Sequence, residues 1–354
     1  MKGLILSGGR GTRLRPITYT SAKQLIPVAN RPILYYGLEA IRASGIRDVG
    51  IVVGETHAEI KAAVGDGRRF GVKVTYLHQP EPLGLAHAVL VAEKFLAEKP
   101  FVMYLGDNLI KSGIQPLVQE FRHRKPNAMI LLAHVPNPSQ FGVAELKNGR
   151  VVRLTEKPKR PKTDLALVGV YMFDRNVFQA AKAIRPSFRG ELEITDAIQW
   201  LVDRGYRVVP HVVEGWWKDT GRVEDILEAN RMVLDTLESR IQGRVDKKSR
   251  VQFKVVIEKG ARVVRSVIRG PAIIGEGSLI QDSYIGPFTS IDRGCRIERA
   301  EIEHSIVLAQ STLRDIPQRI EDSLIGRDVV ISRSGGRPSV LRFMVGDASR
   351  VELA

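Results

Sequence analysis

The 354-residue chain is 44% hydrophobic and 26% charged, a balance that excludes a disordered tail or a mini-protein and leaves room for about two domains. A single cysteine, Cys295, excludes an internal disulfide or a thiolate metal cluster. The net charge of +15 suggests a polyanionic ligand, yet basic residues are scattered among acids and aromatics make up only 6%, so small phosphorylated molecules are expected and nucleic acid is not.

No apolar run approaches the ~18 residues of a bilayer span, and Leu4 to Leu6 is too short for a signal segment. A soluble cytoplasmic protein with no membrane partner is expected. Along the chain, Gly3 to Leu6, Val49 to Val53, Val72 to Leu77 and Phe101 to Leu105 read as strands, with helical periodicity over Ile33 to Ala43, Leu85 to Leu96 and Ile114 to Arg122. Strands alternating with helices predict a Rossmann-like, mainly parallel sheet, with ligands beyond the carboxyl ends of its strands. That places Ser7 to Arg13 and Gly106-Asp107-Asn108 in one crevice. Further on the pattern is mixed. Asn148-Gly149 marks a hairpin between Val143 to Leu146 and Val151 to Thr155; Ala166 to Phe173 and Tyr206 to Val213 read as strands, and Ile194 to Arg204 as a helix. Arg222 to Arg240 reads as one long helix closing a first domain of residues 1–240.

Beyond residue 250 helical periodicity vanishes, and apolar residues recur every five or six positions, often with a small residue four later, as in Ile257 with Ala261 and Ile291 with Cys295. Ile257, Ile274 and Ile291 are each 17 apart, close to the 18 of three hexapeptide steps per coil. This predicts a parallel β-helix over 250–354 in which Cys295 is an inward filler rather than a nucleophile.

The chemistry concentrates in Ser7-Gly8-Gly9-Arg10-Gly11-Thr12-Arg13-Leu14. Glycines let backbone N–H groups approach phosphate oxygens, and Arg13 adds a forked donor. The segment fits neither the dinucleotide fingerprint nor the P-loop, because Leu14 stands where the third glycine belongs and no Gly-Lys-Ser/Thr closes it. It continues with Pro16, Thr18, Lys23-Gln24-Leu25-Ile26-Pro27-Val28 and Arg31-Pro32. Later come Gln79-Pro80-Glu81-Pro82-Leu83-Gly84-Leu85-Ala86, Gly106-Asp107-Asn108, Glu156-Lys157-Pro158, Arg189 to Asp196 and Trp217-Lys218-Asp219-Thr220-Gly221.

In these segments the sequence resembles the sugar-1-phosphate nucleotidylyltransferases, over about residues 1–240. Among them it is most similar to members that join dTTP and glucose 1-phosphate, in a long form with a left-handed β-helix. The resemblance implies attack of the sugar phosphate on the α-phosphorus, with pyrophosphate leaving. A phosphate monoester is already largely a dianion at neutral pH, so the protein must align two anions and neutralise the departing charge. By resemblance, Arg13 and Lys23 cradle the leaving phosphates, Gly8, Gly9, Gly11 and Thr12 line the triphosphate, and Gln79, Pro82 and Gly84 meet the base. Asp107 and Asp219 hold Mg²⁺. Lys157 takes the sugar phosphate, and Asn108, Gly142, Glu156 and Val168 the glucose ring. UTP is a rival substrate, since uracil differs from thymine by one methyl. A non-catalytic subunit is a second rival, opposed by the intact Arg13, Lys23, Asp107, Lys157 and Asp219. His304, the one histidine of the repeat region, raises a third, an added acyltransferase. Self-association into a homo-oligomer is expected of such a tail.

Overall fold

The computed structural model describes residues 1–9, 11–333 and 342–353. It forms two compact units, one from Met1–Arg10 and Ile33–Asp219, the other from Gly11–Pro32 and Thr220–Ala354.

In the first unit the strand Lys2–Ser7 lies between Asp48–Val53 and Phe101–Leu105, parallel to both, and Lys73–His78 extends the parallel edge. The central strands are mostly apolar because they are buried, whereas the edge strand Lys73–His78 is more polar and only partly buried. Leu4, Leu6, Phe101 and Met103 share a core with residues of the helices Leu85–Val91, Asn176–Ala183 and Ile194–Asp203. On the opposite face a Cβ at Gly3 would lie 2.9 Å from Ile41 of helix Ile33–Ala43, so the glycine sets how closely that helix packs.

The sheet turns antiparallel at Leu165–Phe173, which pairs with Phe101–Leu105 through residues 170–173 and with Gly142–Lys147 at Ala166. Its other neighbour, Ala128–His134, is a strand the sequence pattern did not single out. Register between these two breaks between Leu167 and Tyr171, leaving a bulge at 168–170. The hairpin Gly142–Lys147 and Arg150–Glu156 turns at Asn148 and Gly149, both with positive φ, as the Asn-Gly pair requires. The helix expected over Leu85 to Leu96 is divided at Ala92 into Leu85–Val91 and Glu93–Leu96.

In the second unit the helix expected to reach Arg240 covers only Val223–Leu234. Arg240–Ile241 is already strand, paired in parallel with Val256 and Ile257, so the helical pattern past Leu234 yields to β-pairing. From there parallel strands stack in three columns. Ile257, Ile274, Ile291 and Val307 stand in register in one, Val263, Ile280, Ile297 and Leu313 in a second, and Val251, Ile268, Ile285 and Ile302 in the third. Their inward side chains form one buried core. This stacked parallel architecture is the β-helix the repeat predicts. Corner serines satisfy the backbone of the next coil: Ser283 N–H donates to Ser266 Oγ at 3.1 Å, and Ala300 N–H to Ser283 Oγ at 3.2 Å. Cys295 is fully buried, its N–H donating to Ser278 Oγ, and burial pushes its thiol up to about 11. It is the inward filler expected. No described helix is long and apolar enough to cross a membrane.

Candidate active site

In the first unit the carboxyl end of the sheet gathers several of the expected residues. Gly106 N–H donates to Leu6 O at 2.9 Å, which ties the Gly106-Asp107 turn to the end of the first strand, beside Ser7 and Gly8. Asp107 and Asp219, 112 positions apart in the chain, are brought together by a two-stranded ribbon. Asn108–Ile110 pairs antiparallel with Trp217–Asp219 so that Asp219 lies opposite Asn108, one residue from Asp107. Opposed residues of such a ribbon have Cα atoms about 4.5 to 5.5 Å apart.

Asn108 is buried and its amide is engaged on both sides. Its Oδ1 accepts from Trp217 Nε1 at 2.6 Å and from Gly169 N–H at 3.2 Å, and its Nδ2 donates to Asp107 Oδ1 at 3.1 Å. A Cβ at Gly169 would lie 2.5 Å from Asn108 Oδ1, so only glycine at the bulge admits this amide. Tyr104 donates to Asn108 O at 3.2 Å. Burial, and secondarily Asp107, pushes the Tyr104 hydroxyl well above its usual range, so it remains a donor. Burial likewise raises Tyr171, with smaller contributions from Glu156 and Asp219.

At the next strand end Gln79 Nε2 faces Gly84 O at 3.3 Å and His87 Nδ1 at 2.9 Å. A carbonyl only accepts, so the atom facing it is the amide nitrogen, and His87 Nδ1 must therefore accept as well. Gln79 Oε1 is left toward Gly8, 3.5 Å from where a Cβ there would stand. An acceptor so presented suits the N–H of a pyrimidine imide. Gly84 has φ 102° and no room for a side chain, since its Cβ would meet Leu192 O at 2.4 Å. Leu192 zips to this loop through Ala86 N–H to Leu192 O and Leu192 N–H to Leu83 O, at 3.0 and 2.8 Å. Pro82 lies exposed in the same turn.

The Leu192 segment also reaches Glu156. Thr195 Oγ1 donates to Glu156 Oε2 at 2.7 Å, Arg189 Nη1 lies 3.7 Å from Glu156 Oε1, and Lys157 Nζ lies 4.0 Å from it. A Cβ at Gly142 would crowd Thr195 and Glu156. Lys157 is exposed, at φ 42°, with its N–H on Phe141 O. Beside Arg189, burial raises the Glu193 carboxyl, against the hydrogen bond from Ser187; Asp196 is raised by burial and then by Glu156. Val168 is fully buried on the bulge, so its side chain is closed to solvent. Ser7 Oγ is buried with no hydrogen-bond partner among the described residues.

Gly11, Thr12, Arg13 and Lys23 belong to the second unit. Thr12–Leu14 is a short 3₁₀ turn anchored by buried Leu14, with Thr12 and Arg13 exposed. Thr18 Oγ1 donates to Gly11 O at 2.7 Å, and a Cβ at Gly11 would come 3.2 Å from Lys23 Cβ. The Arg13 guanidinium lies against Gly221, whose Cβ would be 2.9 Å from Nη2.

Among the described residues no group of three or more His, Cys, Asp or Glu is arranged to hold a metal. The Asn108 ribbon instead offers two carboxylates. That donor set fits Mg²⁺, which takes few protein oxygens and completes its shell with water and substrate phosphates.

The nucleotidyl transferase family model matches residues 2–236. The chain belongs to the nucleotidyl transferase family. Over its whole length it is 58% identical to a glucose-1-phosphate thymidylyltransferase of Streptomyces antibioticus, covering 99% of that protein, and 54% identical to one of Streptomyces griseus, covering all of it. A solved Bacillus anthracis structure, assigned as a glucose-1-phosphate thymidylyltransferase and bound to sucrose, superposes with a TM-score of 0.64 at 38% identity. That match covers 98% of the Bacillus chain but 68% of this one, so about a third of the present chain has no counterpart there.

His87, on the helix after Gly84, shows no metal-ligand spacing in the sequence and reads there as a core or surface residue; its contact with Gln79 is visible only in the structure. Sequence reasoning passed over Gly169, whose bulge no pattern announces. Trp217, Arg189 and Thr195 stand inside recognised segments without having been assigned roles. His304 sits at a coil turn, edge-on to Phe288, with Nδ1 3.5 Å from Asp322.

Proposed function

We propose that this family member transfers the thymidylyl group of dTTP to glucose 1-phosphate, giving dTDP-glucose and pyrophosphate. Residues 1–240 would carry the chemistry, with the β-helix proposed over 250–354 led into by parallel strands that begin at Arg240. The reading is carried by full-length likeness to two glucose-1-phosphate thymidylyltransferases. The ribbon that pairs Asp219 with Asn108 supports it.

The nucleophile needs no base, so the protein's work is alignment and charge neutralisation. Lys157, with Glu156 and Gly142 beside it, would hold the sugar phosphate and ring. Gln79 Oε1 would accept from the base N3–H, with Gly84 keeping the base close to backbone and Pro82 lining the approach. Gly8, Gly9, Gly11 and Thr12 would supply donors to the triphosphate, and Arg13 and Lys23 would neutralise charge on the departing pyrophosphate. Asp107 and Asp219 would hold Mg²⁺, which when bound screens charge between the two anions. Asn108 donates to the Asp107 carboxylate, and Val168, whose side chain is closed to solvent, would meet the glucose ring only through its backbone. UTP presents the same imide edge to Gln79, so it is expected as a weaker substrate, with one methyl contributing roughly 1 to 3 kcal/mol of discrimination.

The test is pyrophosphate release from glucose 1-phosphate with each of the five common nucleoside triphosphates, with and without Mg²⁺. Fastest release with dTTP, lost on chelation, is expected. No release with any triphosphate would overturn the reading.

A further inference from the structure

The segment 11–32, which carries Arg13 and Lys23, folds with the helix Val223–Leu234 and the β-helix in one compact unit. It contains a two-residue turn between Pro27–Val28 and Arg31–Pro32, where Ala29 and Asn30 both have positive φ, 49° and 60°. The Cβ of alanine disfavours that conformation, and its methyl group offers no hydrogen bond to compensate. The compensation comes from Asn230, which is fully buried. Its Oδ1 accepts from Ala29 N–H at 2.9 Å and from Ser290 Oγ at 2.7 Å, and its Nδ2 donates to Phe288 O at 3.0 Å. One amide thus joins the turn to a β-helix coil. Asn30 Nδ2 adds a direct bond to Ile291 O at 2.7 Å.

From Ala29 the chain runs back through buried Val28 and Ile26 to the 3₁₀ turn Lys23–Leu25, and Lys23 packs on Gly11. A shift of the turn is therefore passed to the cations. We infer that Asn230 is a positioning residue through which the β-helix fixes the segment bearing Arg13 and Lys23. The inference rests on the proposed function for what those cations bind.

The test compares steady-state kinetics of Asn230→Leu and Ser290→Ala with the unmodified full-length enzyme, alongside thermal melts. Because Arg13 and Lys23 would cradle the phosphates of bound dTTP as well as neutralise them on departure, their misplacement in Asn230→Leu is expected to raise KM for dTTP at least about tenfold and to lower kcat as well. KM for glucose 1-phosphate should stay within about twofold. Ser290→Ala, which removes a hydroxyl only from the β-helix side, should move the same constant in the same direction by about threefold. The double variant should fall short of the product of the two, since the groups share one network. If Asn230→Leu does not fold, Ser290→Ala decides. An unchanged dTTP KM in the folded variants, or equal losses for both substrates, would overturn the inference. An unmodified enzyme without pyrophosphate release would instead overturn the proposed function.

Discussion

Two buried asparagines, one in each compact unit, use their amides in the same way on different tasks. Asn108 accepts from Gly169 and Trp217 and donates to Asp107; Asn230 accepts from Ala29 and Ser290 and donates to Phe288. In both, the carbonyl oxygen takes two donors and the nitrogen gives one, which leaves little freedom to the side chain. The difference is reach. Asn108 orients the carboxylate next to it in sequence, whereas Asn230 holds a turn 201 positions away and acts on Arg13 and Lys23 only through packed backbone. Adjacent control is expected to show in turnover, and distant control in nucleotide affinity as well.

The largest effect should come from the carboxylates themselves. Asp107→Asn and Asp219→Asn are each expected to cut kcat on the order of a thousandfold with the fold retained, since several kcal/mol of charge stabilisation is at stake. Full activity in either would remove Asn108's reason for being fixed and break the comparison. Next, Asn108→Leu leaves the Trp217 indole and Gly169 N–H buried and unpaired, at about 1 to 3 kcal/mol each. It should lower the melting temperature as well as kcat, while moving dTTP affinity less than Asn230→Leu does. The reverse order would show that reach does not separate the two roles.

The smallest effect sharpens the comparison from outside it, at an exposed ion pair. Arg265 holds Asp282 through two hydrogen bonds and draws its carboxyl down to about 2. A carboxyl depressed in the folded state stabilises fully above its unfolded value, near 3.8, and loses that contribution as pH falls toward about 2. Arg265→Gln should therefore shift acid unfolding to higher pH, yet change the neutral melting temperature by about 2 °C or less, because both side chains are solvated. A large neutral-pH loss would place surface pairs on a par with the buried amides.

What the sequence made legible follows from how local each signal is. The parallel strands from Lys2 to Leu105 announce themselves as short apolar runs, and the β-helix as a repeat whose residues meet their own equivalents one coil away. Ala128–His134 lacks alternation because it is largely buried on both faces, so only its bounding turn residues, Pro126-Asn127 and Pro136-Asn137-Pro138, mark it as a strand, and such a run is not told from buried helix by periodicity alone. The helix past Leu234 was over-read for the opposite reason: a helical pattern continues, but Arg240 and Ile241 gain a parallel partner only after folding. The motifs marked Asp107 and Asp219, though only strand register shows how a chain so long brings them side by side. His87 and Asn230 lay beyond reach, because their meaning resides in the atoms they face.

The bond from Ala29 to Asn230 also sets a timetable for biosynthesis. At roughly 5 to 20 residues per second the ribosome needs about 10 to 40 s to add the 201 residues separating them, and longer to supply Ser290. Through that interval the turn at Ala29 lacks its mate, so it must be among the last parts of this unit to settle.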